Sequence, residues 1–338
     1  MTIDGDAFFY AQGLLATDLI EVSHDPSDLD RPGFWAVVGT FEGAWTLARF
    51  GHIRQSQLPT AKGDWLPISP DEWRTSLEQA DYQLAVQIIR EEVANGSVYQ
   101  ANICRILSAP IGPSHDLLAL AHLIITGNPA PHSVFLRLPE IEIVCASPEL
   151  FLSRDGAELM SSPIKGTGVQ ASDMGEKDTA ENIMIVDLVR NDLGAVAQTG
   201  SVEVPRLLAV EAHPGLFHLV SDVKAQLVEG TSWPQIFSAT FPPGSVSGAP
   251  KSSALRLIAQ LERAPRGPYC GAIGWIDGDH ASLAVGIRTF WSEGDNLLRF
   301  GSGAGITWGS NPQAEWEETE LKAARLIGLA SGRKVASL

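Results

Sequence analysis

Lys165 stands in the string Ser162-Pro163-Ile164-Lys165-Gly166-Thr167, its amine set between a rigid proline and a flexible glycine. A lysine amine becomes a nucleophile only where burial or a nearby cation lowers its pKa and an electrophile is held within reach. The chemistry to look for is attack by an amine inside a polar, anion-binding pocket; without such a pocket the residue is a solvated charge. Glu315 and Glu318 are three apart and Lys322 follows four later, so the three share a helix face, and Asp178 and Glu181 repeat the spacing on a second helix. Carboxylates converging from two helices suit a hard cation such as Mg2+, which keeps positions open for water or substrate oxygens, although such spacings also mark solvated helix faces. Arg288, in Ile287-Arg288-Thr289, offers a planar fork for a carboxylate, and Gly303-Ala304-Gly305 could hold an anion in a nest of backbone amides. The glycines from 301 to 305 lack the spacing of a dinucleotide fingerprint.

The elements that must position these residues read as α+β. Residues 34–41 and 44–48 flank Glu42-Gly43 as a hairpin, within a short β-rich lead over residues 1–68. Ser69-Pro70-Asp71-Glu72 reads as a capping box with proline at the first helical position, opening a helix with Leu77, Leu84, Ile88 and Val93 on its core face and Asn95-Gly96 at its end. A larger catalytic domain is expected over 69–332. Within it, strands at 133–138, 141–146, 201–210 and 219–227 alternate with helices near 178–192, 250–261 and 312–329, and runs of consecutive strands argue against a βαβ winding. The interval from Glu149 to Lys165 fits strand, turn and strand, which can set both side chains over one pocket. Residues 244–251 read as a helix start, with Ser247 to Pro250 as capping chemistry.

Composition fits a soluble enzyme. With 338 residues, 44% of them hydrophobic, the chain can fill a sizeable core. The 24 Lys and Arg against 40 Asp and Glu give a net charge of −16, which disfavours nucleic acid or an anionic membrane as partner. The best apolar run, 117–126, is too short to span a bilayer, and the acidic N-terminus is unlike a targeting signal, so a cytoplasmic location is expected. Cys104, Cys145 and Cys270 lack metal-type spacing and read as buried reduced thiols.

Several segments in chain order resemble the chorismate-utilising enzymes, the family of anthranilate synthase, isochorismate and salicylate synthases, and aminodeoxychorismate synthase component I. They are Gly96-Ser-Val-Tyr-Gln-Ala-Asn102, Ser147-Pro-Glu149, Pro163-Ile-Lys-Gly-Thr167, Ala180-Glu-Asn182 running into Ile185-Val-Asp-Leu-Val-Arg-Asn-Asp192, and His218-Leu-Val-Ser221. Gly244-Ser-Val-Ser-Gly-Ala-Pro-Lys251, Arg266-Gly-Pro-Tyr269, Ile287-Arg-Thr289, Gly303-Ala-Gly305 and Glu315-Trp-Glu-Glu-Thr-Glu-Leu-Lys322 follow. Lysine at position 165, where anthranilate synthases carry alanine, is most similar to aminodeoxychorismate synthase component I. The resemblance implies antiparallel sheets in a sandwich core with helices packed outside, and amination of chorismate at C4 through a covalent lysine intermediate, in the branch leading to 4-aminobenzoate and folate. It makes Lys165 the nucleophile and Glu149 the general acid. It places chorismate against Gly166, Thr167, Ser247, Gly248, Tyr269, Arg288, Gly303, Ala304, Gly305 and Lys322. Mg2+ falls on Glu181 and Glu318, with Glu315 near and Asp178 behind. His218 matches a family active-site histidine and reads equally as a structural residue of an apolar strand.

Absences and departures refine the expectation. Ala101 stands where water-adding and salicylate-forming relatives carry a basic lysine, which disfavours isochorismate formation. No G-x-C-x-G elbow surrounds a cysteine, so ammonia should come from a separate glutaminase subunit or from free ammonium. Much of the family's longer N-terminal region is lacking, which puts inherited feedback regulation in doubt. The stretch from Thr167 to Asp178 is short, Arg256 replaces an acid, and Ile306-Thr-Trp308 replaces a more polar run. Two other readings stay open: anthranilate synthase component I, and a noncatalytic chorismate-binding subunit.

Overall fold

The computed structural model describes residues 7–168, 170, 174–213 and 216–333. The chain runs through β1 (Phe8–Ala11), β2 (Leu14–Ser23), β3 (Phe34–Gly39), β4 (Trp45–Gln55), β5 (Arg74–Thr75), α1 (Gln79–Ala94), β6 (Gln100–Pro110) and α2 (Leu117–Gly127). Then come β7 (His132–Arg137), β8 (Glu142–Ser147), β9 (Leu150–Asp155), β10 (Glu158–Ser162), β11 (Ile164–Gly168), α3 (Glu176–Gly194), β12 (Glu203–His213) and β13 (Leu216–Gln226). It ends with α4 (Trp233–Thr240), α5 (Gly244–Ser247), β14 (Gly248–Ala249), α6 (Lys251–Leu261), β15 (Ala272–Asp277), β16 (His280–Val285), β17 (Thr289–Ser292), β18 (Leu297–Ile306) and α7 (Pro312–Ala330).

Every strand pairing is antiparallel, as the α+β reading requires. One hydrogen-bonded path runs β6, β18, β17, β8, β7, β1, β2, β4, β3, β15, β16, β9, β10, β13, β12. The lead therefore supplies the middle of the path: β1 pairs with β7 on one side, and β3 with β15 on the other. Alternation sorts the strand residues into two cores. Phe9, Val134, Leu136 and Ile143 join Ile273, Leu283 and Leu152 in the interior between the two halves of the path, whereas Phe8, Phe135 and Val144 face outward under α2 and α7. A third cluster seats α1 and α6 on β6 and β18. The result is a sandwich with helices outside.

The hairpin around Glu42-Gly43 is present, with Gly39 opposite Trp45 and Gly43 at φ +89° in the turn. The capping box at Ser69 also forms, yet it caps only a single 3-10 turn, Pro70–Glu72. Helix α1 starts at Gln79 instead and buries Tyr82, Ala85, Val86 and Ile89, leaving the expected core residue Leu84 half exposed at 53%. The apolar run near 117 is α2, seated under α7. Among the described residues no helix is long and apolar enough to cross a membrane. The three cysteines are buried and free.

Candidate active site

Lys165 owes its position to an irregularity. Along β11 it pairs with Leu219 while Thr167 pairs with His218, leaving Gly166 as a bulge at φ +74°. A Cβ on Gly166 would lie 2.9 Å from Asp178 Cβ and 3.0 Å from Met174 Sδ, so only glycine fits. The bulge turns Lys165 into a cavity of about 620 Å3, where its Nζ donates to the Ser245 carbonyl at 2.9 Å. Burial pushes the amine's pKa down, against the opposing pull of Glu181 and Glu149, with Lys322 adding to the depression.

Glu149 sits at the start of β9, and the β9–β10 hairpin followed by β11 brings it beside Lys165, as the strand-turn-strand interval implies. It is 3% exposed, and burial pushes its carboxyl up to about 7 despite the Ser245 hydroxyl, Lys165 and the Ile164 amide. A carboxyl that keeps its proton near neutrality can donate it.

Arg288 links β16 to β17 in the left-handed region at φ +53°, and this turn sends its guanidinium to the cavity. Its Nη2 lies 3.0 Å from His218 Nε2, and His218 Nδ1 lies 3.3 Å from the Gly166 carbonyl. A guanidinium can only donate, so Nε2 accepts and Nδ1 carries the proton that faces Gly166. His218 thus ties Arg288 to the bulge beside Lys165. Burial, helped by Arg325, pulls the Arg288 pKa down to about 10. Among the described residues no carboxylate stands within ion-pair distance of it, which leaves a buried fork open to an anion.

The opposite wall is β18 and α7. Gly303-Ala304-Gly305 is not an amide nest but regular strand, in register with Cys104, Ile103 and Asn102 of β6. The glycines serve instead to clear space: a Cβ on Gly301 would meet the Tyr269 ring at 2.1 Å, and one on Gly303 would meet Cys104 Sγ at 2.4 Å. Tyr269 is buried at the cavity wall. Lys322 donates to the Gly303 carbonyl at 3.1 Å and pairs with Glu318 at 2.6 Å.

The cavity therefore gathers Lys165, Gly166, Glu149, His218, Tyr269, Arg288, Gly303, Ala304, Gly305 and Lys322, together with Asp178, Glu181 and Glu318. Three expected contacts fall elsewhere. Glu315 lies on the face of α7 that also buries Thr319, Ala323 and Leu326, and it is absent from the cavity wall; the acids that α7 presents there are Glu317 and Glu318. Ser247 turns its hydroxyl to the Pro243 carbonyl at 3.0 Å, and Gly248, at φ +144°, packs where a Cβ would meet the Gln100 carbonyl at 2.3 Å. Both shape the floor from below. The side chain of Thr167 lies outside the described residues. Among the described residues no group of three or more His, Cys, Asp or Glu is arranged to hold a metal ion alone. Glu181 from α3 and Glu318 from α7 still converge, since both act on the Lys165 amine.

Sequence reasoning missed Ser245, whose carbonyl takes protons from Lys165 and from Asn102 Nδ2 at 3.1 Å, and whose hydroxyl reaches Glu149. It also gave no role to Arg266, 1% exposed, which grips Glu262 at 2.6 Å, the Val246 carbonyl at 2.8 Å and the Asn102 carbonyl at 3.1 Å. That clamp fixes the 244–248 turn against β6. Both residues lie inside quoted motif segments, so the signal was present but could not be resolved to single positions.

Residues 51–328 match the family described as chorismate binding enzyme. Aminodeoxychorismate synthase component 1 of Escherichia coli (strain K12) is 36% identical over 269 residues, 76% of this chain and 59% of that protein. Anthranilate synthase component 1 1 of Haloarcula marismortui is 36% identical over 288 residues, 80% of this chain and 58% of that protein. The chain thus spans less than two thirds of either relative. The crystal structure of anthranilate synthase component I from Streptococcus pneumoniae shares the fold, with a TM-score of 0.82 at 22% identity over 97% of this chain and 94% of that one.

Proposed function

Because the chain belongs to the chorismate binding enzyme family, we propose that it aminates chorismate at C4, giving 4-amino-4-deoxychorismate and water, with ammonia supplied by a separate glutaminase subunit. The observation that supports this reading is a lysine amine with a depressed pKa and a carboxyl protonated to about pH 7 on one cavity, both bound to Ser245. Lys165 attacks C2 as its neutral amine. The double bond shifts, the C4–O bond breaks, and Glu149 delivers the proton that turns the departing hydroxyl into water. Ammonia then attacks C4, the double bond returns, and the C2–N bond breaks; the proton lost from ammonia balances the one regained by the lysine amine. Arg288 grips one substrate carboxylate and Lys322 faces another.

Charge explains why the pocket suits a metal. Lys165, Arg288 and Lys322 face Asp178, Glu181, Glu317 and Glu318 on the cavity wall, so with Glu149 neutral the acids outnumber the cations. A dicarboxylate would be repelled. Glu181 and Glu318 would hold Mg2+, whose double charge reverses that balance and orders a substrate carboxylate.

A second reading, amination to anthranilate, is favoured by the equal identity to anthranilate synthase relatives. Product identity separates the two. Ammonium-dependent turnover of chorismate with Mg2+, coupled to an aminodeoxychorismate lyase, should yield 4-aminobenzoate, and Lys165→Ala should lower the rate by roughly three orders of magnitude or more. Anthranilate from the wild type, or a fully active Lys165→Ala, would sink the covalent amination reading.

A further inference from the structure

Helix α7 has a second lined face. Away from the catalytic cavity, α7, β6 and the turn at Pro70–Glu72 enclose another cavity, of about 280 Å3. Leu107, Ala323, Ala324 and Ile327 make an apolar bed, with the Trp73 indole beside it. Two polar atoms in this wall, Trp73 Nε1 and Ser331 Oγ, are buried without a hydrogen-bond partner among the described residues. Such orphans call for a ligand or water. A water occupies only about 30 Å3 of liquid and needs two to four polar partners, so water alone fits this volume and its apolar bed poorly.

The charge of the cavity selects the ligand. Arg105, 2% exposed, is already satisfied: it pairs with Glu320, donates from Nε to Thr319 Oγ1 at 3.0 Å, and stacks on the Trp316 ring at 4.2 Å. Arg333 at the rim is exposed and has no carboxylate within ion-pair distance among the described residues. An unused indole N–H, an unused hydroxyl and a surplus guanidinium all favour an acceptor group carrying negative charge, while the bed favours a flat apolar body. We propose that this cavity is a second ligand site, separate from the catalytic one, for a small flat monocarboxylate.

Sodium benzoate is the probe, with uncharged benzyl alcohol as its counterpart, measured by titration calorimetry and ligand-detected saturation transfer on the full chain. Two variants isolate the site. Trp73→Phe keeps an aromatic wall and removes the N–H; Ala324→Phe fills the cavity from an exposed position and removes no native contact. The wild type should bind benzoate at least tenfold more tightly than benzyl alcohol, Trp73→Phe should weaken benzoate by about tenfold, and Ala324→Phe should abolish it. Unchanged affinity in Ala324→Phe would place benzoate elsewhere, including on the cations of the catalytic cavity, and would overturn the proposal. So would no binding by the wild type at millimolar benzoate, or a crystal soaked in benzoate with only water in this cavity.

Discussion

A carboxyl kept neutral for catalysis weakens the fold that keeps it. The ordinary glutamic acid titrates near 4.5 and Glu149 near 7, so between those values the unfolded chain has released a proton that the native chain still holds. Stability from this group is whole below about pH 4.5 and is lost as pH rises through 7, by about 3 kcal/mol in all. Glu149→Gln removes the titration. Its urea unfolding free energy relative to wild type should improve by that amount between pH 4.5 and 8, while turnover collapses; an unchanged difference would mean the carboxyl is not held neutral. His218 makes a separate claim. Held between the Gly166 carbonyl and Arg288, it positions the substrate grip, so His218→Ala should raise KM for chorismate about tenfold and change kcat less, and His218→Gln, which can still accept from Arg288, should restore most of the loss. A fall in kcat alone, not rescued by glutamine, would make it an acid or base instead. Lys165, Glu149 and Arg288 were legible because their side-chain chemistry names a task. Ser245 was not, because half of its contribution is a carbonyl that every residue carries.

Helix α7 shows what a spacing can and cannot say. Its three- and four-residue intervals put Glu318 and Lys322 together on the cavity, but the stripe runs through Ala314, Glu317, Leu321 and Lys322, and Glu315 falls on the buried side. Phase was the missing quantity, as it was for α1, where a sound capping box closed a 3-10 turn and the helix began several residues later. Local capping chemistry cannot foresee that β5 intervenes to pair with β6. The glycines of β18 were read as an anion nest, yet their register with β6 makes them a cleared strip of strand. That strip is testable. Gly301→Ala would drive a methyl into the base of the Tyr269 ring, not its flexible end, so the ring must leave the cavity wall. Unfolding free energy should drop by about 1–3 kcal/mol, and chorismate binding should weaken with it. A variant as stable as wild type would mean that Tyr269 has room to move.

At the scale of the whole molecule, the site lies where the two ends of one long antiparallel path come together: β18 and β6 from one end, β11 and β13 from the other, with β1 to β4 joining the halves. No local sequence signal carries that closure, because each strand reads alike wherever it pairs. The same body bears a net charge of −16, and its presumed substrate is a dianion. Approach from solvent is therefore uphill until the ligand comes within a few ångströms of Arg288, Lys322 and any cation held by Glu181 and Glu318. Raising ionic strength from about 0.01 M to 0.15 M shortens the screening length from about 30 Å to about 8 Å, which removes the long-range repulsion and leaves the contacts inside the cavity nearly intact. At fixed Mg2+ and saturating ammonium, kcat/KM for chorismate should then rise about two- to fourfold with added potassium chloride, with kcat nearly constant. A steady fall with salt would mean that the cavity's cations project their field beyond the acidic surface and steer the substrate in.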